Sequence, residues 1–160
     1  MNDGIRFSEL LAYTAEENRR WKEWFQKHPQ AMEVPCDIAG PTVHHLLLHI
    51  FTADLLFAHR LLGLAPPDFK PLPHATIDEL FAIGEGAAEK MSQFMERARS
   101  EDWNELVPLG SRDLKPSKRK MMAQAELHGV HHRAQLATLL RQQGYKQDWI
   151  HDILLSDAMR

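Results

Sequence analysis

The chain holds a single cysteine, Cys36, among its 160 residues. No internal disulfide can brace it, so the fold must rest on packing. The neighbours in "VPCDIAG" supply no cation to lower the thiol pKa, which argues against Cys36 as a nucleophile. A lone cysteine suits a reducing compartment, and a cytoplasmic location is expected. No apolar run approaches the ~18 residues of a membrane-spanning helix. The opening "MNDGIRFSEL" lacks the basic-then-apolar pattern of a secretion signal. Excess positive charge is missing as well: 19 Lys and Arg stand against 22 Asp and Glu, a net −3. Such a chain has no general pull toward nucleic acid or anionic membrane. One basic run, "RDLKPSKRK" at 112–120, has no stacking aromatics beside it and reads as a solvated helix entrance. There is no HExxH, no GxSxG and no glycine-rich phosphate loop.

What is present is helical periodicity. Four stretches repeat apolar residues at three- and four-residue spacing: about 7–28, 42–62, 76–99 and 117–143. Ser8, Thr42, Thr76 and Ser117 are candidate caps, and Thr76 with Glu79 forms a capping-box pattern. Gly63 and Gly144 are candidate stops. The second helix is apolar nearly all round and should be the most buried. Gly84 and Gly86 should weaken the third. A short tail helix is expected in "KQDWIHDILLSDAM". No strand-like alternation of useful length occurs. The expectation is an all-α four-helix bundle, one domain over residues 1–160, with a short C-terminal helix.

Histidine is over-represented, ten in 160. Three fall within "HGVHHRAQ", 128–135. At 100° per residue His128 and His132 lie about 40° apart, one turn apart on one face, with Ala125 and Leu136 beside them. Two imidazoles at that spacing can share a metal. His131 falls about 60° to the other side. On the second helix His49 shares a stripe with Leu46, Ala53 and Phe57, and His45 is the weaker alternative. Both histidine sets are read here as core-facing. Three imidazoles suit zinc, nickel, copper or iron. The competing reading is a set of buried, hydrogen-bonded histidines with no metal.

Three segments carry a family resemblance. "ELHGVHHRAQLATLLRQQGY", 126–145, resembles the helix motif of the DinB/YfiT-like family: His, three residues, then His-Arg-Gly-Gln and a leucine-rich end. "HHLLLHIFTADLLFAHRLLG", 44–63, resembles its His-bearing second helix, and "LLAYTAEENRRWKEWF", 10–25, its first. Ala134 stands where the family often has glycine, and Gly129-Val130 where it often has polar residues. The resemblance implies a four-helix bundle that binds one divalent transition metal, zinc or nickel foremost, through His49, His128 and His132. Similar proteins include bacillithiol transferases, mycothiol-dependent maleylpyruvate isomerases and metal-dependent hydrolases. It therefore implies a transferase or hydrolase, with a low-molecular-weight thiol as a candidate cofactor. A non-catalytic metal-binding or stress-associated bundle is the alternative.

Three neutral imidazoles leave the metal its full charge, so a water or a thiol can become the nucleophile. Glu17 and Asn18, on the apolar stripe of the first helix, are candidates to line a pocket. Arg60 and Arg133 are candidate anion holders or surface ion pairs, and Glu126 a candidate partner for a ligand histidine. The fourth helix carries a second apolar strip, Ala123, Leu127, Val130 and Ala134; the second carries Leu48, Phe51, Leu55 and Leu62. Two strips per helix suggest a homodimer.

Overall fold

In the computed structural model, which describes residues 4–69, 72–109 and 113–158, four long helices form an all-α bundle. They are α1 (Phe7–Lys27), α2 (Val43–Leu62), α3 (Ile77–Arg97) and α4 (Lys118–Gln142). α2 packs against α3 and α4, and α1 packs against the same two, so α1 and α2 sit diagonally. Short 3-10 turns punctuate the connections. α2 is long and apolar enough by length and composition to span a membrane, but here it packs against α3 and α4 as one of the four bundle helices.

The ends follow the local chemistry. Thr76 accepts from the Glu79 amide while the Glu79 carboxylate accepts from the Thr76 amide at 2.7 Å, closing a capping box. Ser117 caps α4. Gly63 stops α2 at φ 69°, a left-handed conformation that glycine adopts without Cβ strain. At α1 the expected cap is displaced: the helix begins before Ser8, at Arg6, whose amide donates to Glu9 at 2.7 Å.

The core divides in two. One apolar cluster gathers Trp21, Phe25, Leu46, Ile50, Phe51, Phe81, Leu136 and Leu140. The other gathers Leu11, Ala58, Leu61, Ala87, Met91, Met121 and Ala125. Between them each helix contributes a polar or glycine step: Thr14 and Glu17 on α1, Asp54 on α2, Gly84 on α3, Glu126, Gly129 and Arg133 on α4. Gly84 is no accident of composition. A Cβ there would lie 2.6 Å from Phe51 Cδ1, so the ring of α2 needs the missing side chain of α3. The second apolar strip of α2 is thus a packed face: Phe51 is fully buried, and Leu48, Leu55 and Leu62 pack partly against the core. The corresponding strip of α4 stays outside, with Leu127 67% and Val130 46% exposed and Ala134 exposed too.

The tail forms no α-helix among the described residues. It lies flat against α1 with one 3-10 turn at Ile153–Leu155, capped by Asp152. Side-chain demand at Glu17 explains this. The carboxylate, 2% exposed, accepts from His151 Nδ1 at 2.5 Å and from Trp149 Nε1 at 3.2 Å. Trp24 Nε1 donates to the Lys146 carbonyl and Tyr13 Oη to that of His151. Extended chain presents residues 149 and 151 on one side; a helix would place them about 200° apart. In the basic run, Arg112 lies outside the described residues, and Lys118 pairs with Glu105 at 2.7 Å, beside the Phe94 ring.

Candidate metal centre

The structure brings together one histidine from α2 and two from α4. One ring nitrogen from each of His49, His128 and His132 lies within 4.8 Å of the others. Ring centroids are 4.9 Å apart for His49 with each partner and 4.4 Å for His128 with His132. His128 Nε2 approaches His49 Nε2 to 3.0 Å. Burial, followed by the neighbouring imidazoles His132 and His49, lowers the pKa of His128 to about 4. Burial also lowers that of His132, against a raising contribution from Gln135. Both are therefore neutral at pH 7, the form that offers a lone pair.

The three rings do not face the core, contrary to the helical-wheel reading. The buried face of α4 is centred on Ala125, Gly129, Arg133, Leu136 and Leu140; His128 and His132 lie at its edge. The buried face of α2 runs through Leu47, Ile50, Asp54 and Ala58, and His49 flanks it. All three rings are half-buried, in the seam where α2 meets α4. The three residues the wheel selected do lie together because a seam lies next to a core, and one apolar stripe on each helix was too broad to separate them.

Five of the other seven histidines have separate tasks. His45 Nδ1 is bonded to Thr42 Oγ1 at 2.9 Å, which commits it to the start of α2 and not to the seam. His28, His44 and His59 bond the carbonyls of Trp24, Ala75 and Ala65. His151 holds the tail. His131 is exposed, its ring 5.1 Å from that of His132. Much of the histidine excess is thus structural.

Beneath the seam lies the polar layer. Arg133 is buried, not a surface ion pair; it donates to Asn18 Oδ1 and Thr14 Oγ1, each at 3.2 Å. Thr14 Oγ1 donates to Glu126 Oε2 at 2.8 Å. Glu126 therefore reaches to α1, and no ligand histidine bonds to it among the described residues. Gly129 leaves room for the Arg133 guanidinium, which a Cβ would meet at 3.0 Å. Glu17 and Asn18 serve the tail and Arg133, and Arg60 sits half-buried in the last turn of α2. Cys36 is buried in the core.

Two residues escaped the sequence reading. Asp54 is buried on α2, and burial raises its pKa to about 7 against the lowering effect of Arg133. Its Oδ1 has no hydrogen-bond partner among the described residues, and it lines a cavity of about 10 Å³ with Thr14, Asn18 and Glu126. The signal was one acid in the most apolar helix. The other is Gln135, whose Oε1 lies 2.7 Å from His132 Nδ1. Its signal was spacing: glutamine three residues after a ligand candidate reaches the same face.

A larger cleft of about 720 Å³ lies between α1, α4 and the tail, lined by Tyr13, Glu17, Val130, Arg133, Trp149 and Ile153. It is on the opposite flank of α4 from the three histidines.

The comparisons agree with this architecture. A solved DinB-like protein of Bacillus subtilis is similar with TM-score 0.64 at 20% identity, over 91% of this chain and 96% of that one. A DinB-like protein of Bacillus cereus is similar with TM-score 0.62 at 16% identity, over 86% and 91%. No curated protein sequence matches significantly. The sequence profile of the DinB family matches residues 1–158. With that match across nearly its whole length, the chain belongs to the DinB family.

Proposed function

We propose that the protein binds one divalent transition metal, zinc or nickel, through His49, His128 and His132, and uses it on a small molecule by thiol transfer or hydrolysis. The observation that carries this is the triad itself: three imidazole donors from two helices within 4.8 Å. Nitrogens around a tetrahedral zinc lie about 3.3 Å apart, given bonds of about 2.0–2.1 Å. The 3.0 Å His49–His128 approach is already on that scale, so small ring rotations suffice. The donor cluster counts three residues among those described, the number of protein ligands that catalytic zinc takes. Half-buried rings in an open seam also suit a site that substrate must reach.

When bound, the ion would supply Lewis acidity that makes a water or a thiol nucleophilic at neutral pH. The protein supplies the rest. The layer beneath holds α1 to α4 through Arg133, and the seam wall excludes water from one side of each ring. A low-molecular-weight thiol is the cofactor this reading favours for transfer. The second reading, a non-catalytic metal-binding bundle, draws on one observation: the cleft of about 720 Å³ does not adjoin the triad.

The test is metal analysis of purified protein supplied with zinc or nickel, beside His132→Ala. One equivalent in wild type and loss in the variant is expected; no stoichiometric metal in wild type refutes the reading. Turnover of an electrophile with a supplied thiol, dependent on that metal, separates enzyme from binder. The exposed strip of Leu127 and Val130 supports a homodimer, with Leu127→Glu expected to yield monomer in sedimentation. The buried single cysteine fits a cytoplasmic setting, which fractionation of the source cells would test.

A further inference from the structure

We infer that Gln135 is a positioning residue for the metal centre: it fixes the His132 proton on Nδ1 and so assigns Nε2 as the ligand atom. This rests on the metal reading above.

A neutral imidazole carries one N–H and one lone pair. Gln135 Oε1 only accepts, so the 2.7 Å contact requires the proton on His132 Nδ1. The lone pair then stands on Nε2. Glutamine and histidine lie three apart on α4, so the bond is internal to one helix and turns with it. The same bond restrains rotation about the ring's own side-chain torsions.

His128 shows what happens without such a partner. Its Nδ1 is buried and has no hydrogen-bond partner among the described residues. Its Nε2 is engaged with His49 Nε2 at 3.0 Å, a contact in which one of the two must carry the proton in metal-free protein. That hydrogen bond must break, and a proton must relocate, before both nitrogens can face an ion. Of the two triad imidazoles on α4, only His132 is set in advance. Outer partners of metal-bound histidine orient the ring and raise its basicity, and their loss weakens metal binding about 10–100-fold.

The experiment uses the full chain. In metal-free protein with ¹⁵N-labelled histidine, the ring shifts of His132 report its tautomer. Wild type should show Nδ1–H, Gln135→Leu should move toward the Nε2–H form, and Gln135→Glu should keep Nδ1–H, because a carboxylate accepts the same bond. Zinc affinity by chelator competition should fall about 10–100-fold in Gln135→Leu and stay near wild type in Gln135→Glu. Circular dichroism checks that each variant folds; Gln135 is only half-buried, so leucine is sterically tolerable. Equal zinc affinity in wild type and Gln135→Leu overturns the assignment of Gln135 alone. A weaker affinity with the tautomer unchanged overturns it too. Wild-type protein that takes up no zinc or nickel overturns the metal reading itself and this inference with it.

Discussion

Asp54→Asn should stabilise the protein increasingly as pH rises. Asp54 is 8% exposed, and burial moves its pKa from 3.8 to about 7. Arg133 offsets part of that burial cost and Glu126 adds to it. A carboxyl whose pKa is raised on folding favours the fold while protonated. That contribution is complete below 3.8, the unfolded value, and is lost as pH climbs through about 7. Between about pH 5 and pH 8 the unfolded chain has already released this proton while the folded chain gives it up only late. The resulting loss is about 3 kcal/mol. Asparagine keeps the shape and a polar end but cannot ionise, so the variant escapes the loss. Urea unfolding of metal-free wild type and Asp54→Asn at both pH values is the assay, read as the difference between proteins. Every other titrating group then cancels. The difference should shift by about 3 kcal/mol in favour of the variant. A difference that stays constant between the two pH values would show that Asp54 ionises normally and that the polar layer is wetter than its burial implies.

Three further outcomes follow from the packing. Gly84→Ala should destabilise by about 1–3 kcal/mol, because its Cβ would meet Phe51 Cδ1 at 2.6 Å; an unchanged or higher Tm would contradict the close approach. His151→Ala should release the tail, exposing amides of residues 146–158 to hydrogen exchange while the bundle stays protected. It also strips one partner from the buried Glu17 carboxylate, at about 1–3 kcal/mol; unaltered tail protection would mean Trp149 and Trp24 suffice. His45→Ala should keep full metal binding where His49→Ala loses it, measured by equilibrium dialysis; the reverse result would move the site toward the start of α2.

Much of the fold was legible because helix periodicity, caps and glycine stops are local signals. Thr76, Ser117 and Gly63 act where the sequence places them. The tail was misread because its apolar residues mimic a helix, while the pull on it comes from Glu17, about 130 residues upstream. Arg133 looked like surface charge because an isolated sequence cannot show that Thr14 and Asn18 await it across the bundle. For the triad, spacing narrowed ten histidines to His128, His132 and His49 with His45 as the alternative, and the family resemblance implied His49. It could not show that they lie in a seam beside the core, because that depends on which neighbour each helix meets.

The division of the core has a consequence for the height at which the histidines meet. Apolar side chains are nearly interchangeable along a bundle, so two oily clusters alone would let α4 slide by a turn, about 5.4 Å, at modest cost. The layer of Thr14, Glu126 and Arg133 forbids that slide, since a one-turn slip would strand a buried guanidinium and a carboxylate among methionines and leucines. Those groups act as a vernier on the bundle. They hold α4, and with it His128 and His132, in register with α1, while the Arg133 charge acts on the buried Asp54 of α2, the helix that carries His49. Thr14→Val should therefore weaken zinc binding while every donor atom remains in place, and an unchanged zinc affinity would show that the register is held elsewhere.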